Sequence, residues 1–328
     1  MPQMLGRGLR SVLVHMSRPM TTQMRCCRTV TEHEEGRTVN ITSQMVKELR
    51  DKTNAGMMDC KKALTETSGD MEKAVDLLRQ KGLAVAQKRA GRATSEGLVE
   101  TSIQADGKLG VMIEVNCETD FVAKSDAFIE FAKNIVLQVA ETTPPASPAD
   151  LLAEKFVKNP ALSIQDLLNE LVAKLGENIG VKRFAKFSEG VMETYIHAGG
   201  KLGVMVEIAC ENDAVAKNAD FIEFAKNICM HIAAANPVSI SREEVPADLA
   251  ERERNIFIQQ AIDSGKPANI AEKMVGGKMD RFFAESCLLE QKFVKNPDIS
   301  VQDLVKEMAA KLGTGLSIKR FARFQVGA

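Results

Sequence analysis

Thr119-Asp120-Phe121-Val122 sets a carboxylate beside a large aromatic ring, with Lys124 close behind. A ring at such a point either fills a core or projects as a wedge into something else. Residue types suited to covalent or metal chemistry offer no rival site. The four histidines, at 15, 33, 197 and 231, show no His-x-x-His or His-Glu-x-x-His spacing. Gly-x-Ser-x-Gly, the phosphate-binding Gly-x-x-x-x-Gly-Lys-Ser/Thr and the dinucleotide fingerprint are all missing from the sequence. Seven cysteines, at 26, 27, 60, 117, 210, 229 and 287, include no Cys-x-x-Cys pair and no neighbouring histidine ligand. Buried free thiols in a reducing compartment are the expectation. Carboxylates are spread over charged helix faces, and no nucleophile stands with a base. The sequence therefore assigns no catalytic residue, no metal ligand and no cofactor, and the chain reads as a protein other than an enzyme.

The elements that position Phe121 are legible in the alternation around it. Val111, Ile113, Val115 and Cys117 are every second residue, the pattern of a half-buried strand. A helix follows from about Ser125, so Phe121 lies on a strand-to-helix corner. The corner occurs twice, because Gly107 through Asp120 (GKLGVMIEVNCETD) returns at Gly200 through Asp213 (GKLGVMVEIACEND), an offset of 93. Phe128 to Ile135 returns identically at Phe221 to Ile228. Leu109, Val111, Phe128 and Phe131 keep identical partners at 202, 204, 221 and 224, whereas Phe121 stands opposite Ala214. A Phe and an Ala cannot fill one core position without a cavity or a repacking. Phe121 is thus read as pointing outward.

Each copy begins with a strand pattern, at 97–103 and 190–197, and a turn pair, Asp106-Gly107 or Gly199-Gly200, suited to a tight primed turn. Each ends alike, with Phe156 to Phe187 answered by Phe293 to Phe324. The later offset is 137, so the second copy holds 44 additional residues. Ser163 with Asp166, and Ser300 with Asp303, mark capping-box helix starts. The insertion, about 238–289, reads as two helices near 246–263 and 268–287 around Ser264-Gly265-Lys266-Pro267. Leu249, Ile256 and Ile262 are expected to face Ile270, Met274 and Phe282. Lys182 to Phe187 and Lys319 to Phe324 interleave basic and aromatic residues; both read as edge strands with packed rings and solvated lysines.

Ahead of the duplication, residues 43–92 read as three short helices, 44–52, 58–67 and 71–81, with Asp70 as a cap and Gly82 as a stop. Such a bundle resembles the ubiquitin-associated type. Lys88 to Arg92 reads as a solvated hinge. Residues 1–31 contain no acid but carry Arg7, Arg10, Arg18, Arg25 and Arg28, the composition of a mitochondrial transit peptide. The fold class is α+β: leader 1–42, helical domain 43–92, core subdomains 93–188 and 189–328, and an inserted antiparallel helical hairpin. A net charge of −1, no Trp and a single Tyr argue against nucleic acid as the main ligand. No run of 18 apolar residues exists to span a membrane.

Leu49 to Leu64 (LRDKTNAGMMDCKKAL) closely resembles one signature of the elongation factor Ts family, and Glu114 to Lys124 (EVNCETDFVAK) the other. The similarity continues through Ser264 to Pro267 and Ile270 to Val275, and spans about 43–326. The C-terminal module of some bacterial members has no counterpart to carry over. Members of the family are nucleotide exchange factors for the GTPase elongation factor Tu. The resemblance implies that Arg50, Met57 and Met58 dock on the GTPase's nucleotide-binding domain. It further implies that Thr119, Asp120, Phe121 and Val122 disturb its magnesium and phosphate site, with Phe121 as the intruding ring. With the leader, it implies the mitochondrial matrix; no membrane, direct nucleic-acid or small-molecule partner is expected. The alternative is an adaptor of the translation apparatus that binds protein or RNA without exchange activity.

Overall fold

The computed structural model describes residues 40–328 apart from 54, 105, 106, 144 and 266. The expected leader, as far as residue 39, lies outside the described residues. Three helices come first: α1 (Ser43–Thr53), α2 (Met57–Glu66) and α3 (Met71–Arg89). Val46, Leu49, Cys60, Ala63, Leu64 and Ala74 form their core. Asp70 caps α3 by accepting the Lys73 N–H at 3.1 Å. Gly82 does not end this helix, contrary to the sequence reading. It is buried, and a Cβ there would lie 3.7 Å from the Cβ of Ala173. Gly82 lies where this helix packs against the one that carries Ala173, and α3 runs on so that Lys88 and Arg89 form its last turn. The basic segment is therefore helix end before it is linker.

The first copy follows as β1 (Glu96–Gln104), β2 (Leu109–Cys117), α4 (Asp120–Ala123), α5 (Asp126–Glu141), α6 (Pro148–Ala153), β3 (Lys155–Phe156), β4 (Asn159–Ser163), α7 (Ile164–Leu175) and β5 (Ile179–Phe187). The second is β6 (Val191–His197), β7 (Leu202–Cys210), a 3₁₀ turn (Asp213–Lys217), α8 (Ala219–Ala235), then α9 (Ala247–Asp263) and α10 (Ala268–Ser286), and finally β8 (Lys292–Phe293), β9 (Asn296–Ser300), α11 (Val301–Leu312) and β10 (Leu316–Gln325). This is the α+β architecture expected from the duplication. Both capping boxes form, at Ser163/Asp166 and Ser300/Asp303.

The antiparallel sheets have the orders β1-β2-β5 and β10-β7-β6. The hairpins exist, but their turns are longer than predicted. Gln104 pairs with Leu109 and His197 with Leu202, which leaves four residues in each connection. In the second, Ala198, Gly199 and Gly200 all take positive φ. Asp106 lies outside the described residues.

One face of each sheet packs on its own helices. The opposite faces meet each other through Val99, Met112, Phe187, Met192, Met205 and Phe324. Gly110 gives room to Met205 and Met192, and Gly203 gives room to Val99 and Met112, each pair related by the offset of the repeat. β5 and β10 are edge strands, but their cations are not all in water. Lys186 Nζ donates to the carbonyls of Ala140 and Thr142, both at 2.8 Å, and so caps the end of α5.

The insertion is a helical hairpin whose inner seam differs from the expected one. Leu249, Met274 and Phe282 are half-buried, as are Phe257 and Lys278, whose ammonium sits 5.6 Å from the Phe257 ring centroid. Ile256, Ile262 and Ile270 instead face solvent, at 40%, 62% and 44% exposure. A stripe at four-residue spacing, Glu253-Phe257-Ala261, turns inward and leaves residues off that spacing outside.

Candidate functional site

Strand β2 ends with Cys117, fully buried, its thiol donating to the Thr119 carbonyl at 3.1 Å. Burial pushes this thiol up to about 12, so it is an inert packing group. The chain then turns, and the turn is clamped from the loop between α7 and β5. Glu177 Oε2 accepts the N–H groups of Glu118 and Thr119 at 3.1 and 3.0 Å. Glu177 Oε1 accepts the Thr119 hydroxyl at 2.6 Å. In return Glu118 Oε1 accepts the Asn178 N–H at 2.6 Å, and Arg92 lies 3.4 Å from the same carboxylate. The Asn178 hydrogen bond, helped by Arg92, holds the Glu118 carboxyl below its usual range.

Thr119 is also the N-cap of α4, its hydroxyl accepting the Val122 N–H at 3.4 Å. α4 is a single turn, and successive side chains fan out from it. Asp120 points to solvent and bonds Lys124 at 2.7 Å, which lowers the pKa of its carboxyl. Phe121 is 82% exposed, the most exposed large apolar side chain among the described residues. Val122 and Ala123 turn inward into the first core, at 5% and 6% exposure. Of the four residues expected to meet the partner, Val122 is the one whose side chain fastens the turn to the core.

In the second copy the same corner is a 3₁₀ turn, with Thr314 where Glu177 stands and Gly315 where Asn178 stands. Glu211 packs so closely over Gly315 that a Cβ there would lie 2.8 Å from its carboxylate oxygen. The clamp differs between copies at 177 and 178, beyond the exchange of Phe121 for Ala214, while Glu118 keeps an identical counterpart in Glu211. Sequence reasoning missed Glu177, Asn178 and Arg92. The contrast of 177–178 with 314–315 across the repeat carries the signal for the first two, as the contrast with Ala214 does for Phe121.

The remaining candidates lie on the helical domain. Arg50 is exposed on the last turn of α1. Met57 and Met58 open α2 and are 59% and 64% exposed. Two large apolar side chains in water on one helical turn form a surface suited to a protein partner. The structure thus brings Met57 and Met58 together on α2, and Thr119, Asp120 and Phe121 together on and beside α4. Cys60, Cys117, Cys229 and Cys287 are buried free thiols. Among the described residues no cluster of three His, Cys, Asp or Glu side chains could hold a metal ion, and no helix is long and apolar enough to cross a membrane.

Residues 118–328 match a family model described as Elongation factor TS. Among curated proteins, the Elongation factor Ts of Trichlorobacter lovleyi is 47% identical over 289 residues, covering 88% of this chain and 93% of that protein. Those of Clostridium botulinum strains Alaska E43 and Loch Maree are 48% and 44% identical, covering 93% and 92% of their lengths.

Proposed function

The chain belongs to the elongation factor Ts family, and from that premise we propose that it is a guanine nucleotide exchange factor for elongation factor Tu, acting through Phe121. The observation that carries this reading is an aromatic ring left 82% exposed on a turn that is itself tightly clamped. An exposed Phe on a rigid support gains free energy when a partner covers it, roughly 1.5–3 kcal/mol on full burial. That gain offsets part of the cost of displacing magnesium and phosphate ligands in the GTPase, with Asp120 beside the ring as the charged neighbour. Arg50, Met57 and Met58 dock the helical domain on the nucleotide-binding domain.

Exchange of this kind is a coupling between two binding events and involves no covalent step. If the factor weakens GDP by a given ratio, GDP weakens the factor by the same ratio. Rapid-mixing measurement of fluorescent GDP release from elongation factor Tu tests the reading. The full-length protein accelerates release, and Phe121→Ala slows that release while much of the complex still forms. An unchanged rate with Phe121→Ala overturns the wedge. Capture of elongation factor Tu that is insensitive to excess GDP favours an adaptor without exchange activity. For location we propose the mitochondrial matrix, supported by the acid-free, arginine-bearing composition of residues 1–31. Failure of isolated mitochondria to import the full chain would count against it.

A further inference from the structure

Resting on the exchange reading, we propose that Glu177 is a positioning residue that holds Phe121 in its projecting pose. A helix of one turn cannot hold its own shape, because nucleation costs more than its few hydrogen bonds return. Something else must fix α4, and two attachments do so. Val122 and Ala123 anchor its inner side in the core. Glu177 anchors its start with three hydrogen bonds, to the N–H groups of Glu118 and Thr119 and to the Thr119 hydroxyl.

The third bond relays order into the turn. By accepting the Thr119 hydroxyl proton, Glu177 directs a lone pair of that oxygen toward the Val122 N–H. Phe121 lies between these two fixed points and is thereby thrown outward. Glu177 is in turn held by its surroundings. Gly176 before it takes φ 78° and donates to the Val172 carbonyl at 2.9 Å, ending α7. Asn178 after it bonds Glu118 through its N–H and the Arg92 carbonyl through its side chain, at 2.7 Å for the latter. The second copy has an Ala at the position of Phe121 and no carboxylate at the position of Glu177, where Thr314 stands with a buried hydroxyl that finds no partner. The Glu177 carboxylate and the Phe121 ring therefore occur together in one copy, and Thr314 and Ala214 replace both in the other.

The test measures GDP release from elongation factor Tu across a range of factor concentrations, separating the maximal rate from the half-saturating concentration. Glu177→Ala lowers the maximal rate about tenfold, the change that about 1.4 kcal/mol makes in a barrier, with half-saturation little altered. Glu177→Gln restores most of that rate, because its amide oxygen still accepts both backbone N–H groups. In a Phe121→Ala background, Glu177→Ala has no further effect, since a residue acting through another is silent once that residue is gone. A merely structural role would lower the maximal rate equally with and without Phe121, and that result overturns the proposal. If Glu177→Ala does not fold, Thr119→Val removes the hydroxyl relay alone, and an unchanged maximal rate there overturns it as well. A slow Phe121→Ala with a fast Glu177→Ala refutes only this inference. A fast Phe121→Ala refutes the wedge and this inference together.

Discussion

The guanidinium of Arg183 lies over the ring of Phe324, 4.5 Å from its centroid, although the two residues come from different copies of the repeat. Its mate, Arg320, lies over Phe187 at 4.3 Å. Each arginine also pairs with a fully buried glutamate of its own sheet, Arg183 with Glu114 at 2.6 Å and Arg320 with Glu207. A planar guanidinium can stack on a ring and bond a carboxylate at once, which an ammonium cannot do as well. Two related clasps thus span the join between the sheets, and they engage the arginines and rings of the basic-aromatic segments 182–187 and 319–324 in packing.

Removing one clasp should be costly for that reason. Arg183→Met leaves the Glu114 carboxylate buried with only Lys182, 3.6 Å away, as a cation. Breaking a buried pair on one side typically costs about 3–5 kcal/mol, and the 37% exposure of Arg183 places this case lower, at about 2–4 kcal/mol. Glu114→Gln in the same chain should recover part of the loss. Urea unfolding midpoints of the single and double variants decide it, and a single variant within about 0.5 kcal/mol of the parent would contradict the account.

Phe121 and Val122 are adjacent, yet their alanine variants should differ in kind. Phe121→Ala removes an 82% exposed side chain and should leave folding stability within about 0.5 kcal/mol of the parent. Val122→Ala empties a site that is 5% exposed and should cost about 1–3 kcal/mol. Chemical denaturation separates them directly. A destabilised Phe121→Ala would mean that the ring packs on its own protein in solution.

Much of this arrangement was legible in the sequence, because repetition supplies an internal comparison. The strand alternation through Cys117 located the corner, and the Ala214 counterpart marked Phe121 as outward-pointing. What was illegible depended on distant partners. A glycine that ends a helix and one inside a helix look alike, and the neighbour that buries Gly82, Ala173, lies on another helix. Glu177 bonds residues 58 and 59 positions away, between two loops that have no periodic pattern. In the insertion, an imperfect heptad allowed two seams, and which isoleucines faced outward was set by packing with Phe257.

His231 should make stability depend on pH. It is fully buried, its Nδ1 accepts the Val294 N–H at 3.3 Å, and its Nε2 therefore carries the proton toward Gln291 Oε1 at 2.9 Å. Burial lowers its pKa, and a second proton on the ring would also oppose the Val294 N–H. Above about 6.5, the ordinary histidine value, the ring is neutral in both states and its contribution is fully present. As pH falls below that value the unfolded chain takes up a proton that the folded chain does not, so stability declines toward the folded pKa. The first copy has Gln138 at this position, where it accepts the Val157 N–H at 2.9 Å. His231→Gln should therefore keep the hydrogen bond and flatten the decline between pH 7 and 5. Equal slopes for variant and parent in urea titrations across that range would remove His231 as the cause.

The join between the sheets makes the last prediction, from two glycines that occupy equivalent positions with unequal neighbours. A Cβ on Gly110 would lie 2.7 Å from Met205 Sδ, and one on Gly203 would lie 2.4 Å from Val99 Cγ1. Both contacts are too close, but the obstacles differ. A methionine side chain has several rotatable bonds and can withdraw, whereas a β-branched valine has essentially one and is held by its strand. Overpacking of this kind costs about 1–3 kcal/mol, so Gly110→Ala should fall at the lower end and Gly203→Ala at or beyond the upper. Val99→Ala should rescue Gly203→Ala by clearing the clashing methyl, and should not rescue Gly110→Ala. Unfolding midpoints of the two singles and two doubles settle the point. Equal costs, or rescue of the wrong partner, would show that backbone conformation rather than the face-to-face contact requires glycine there.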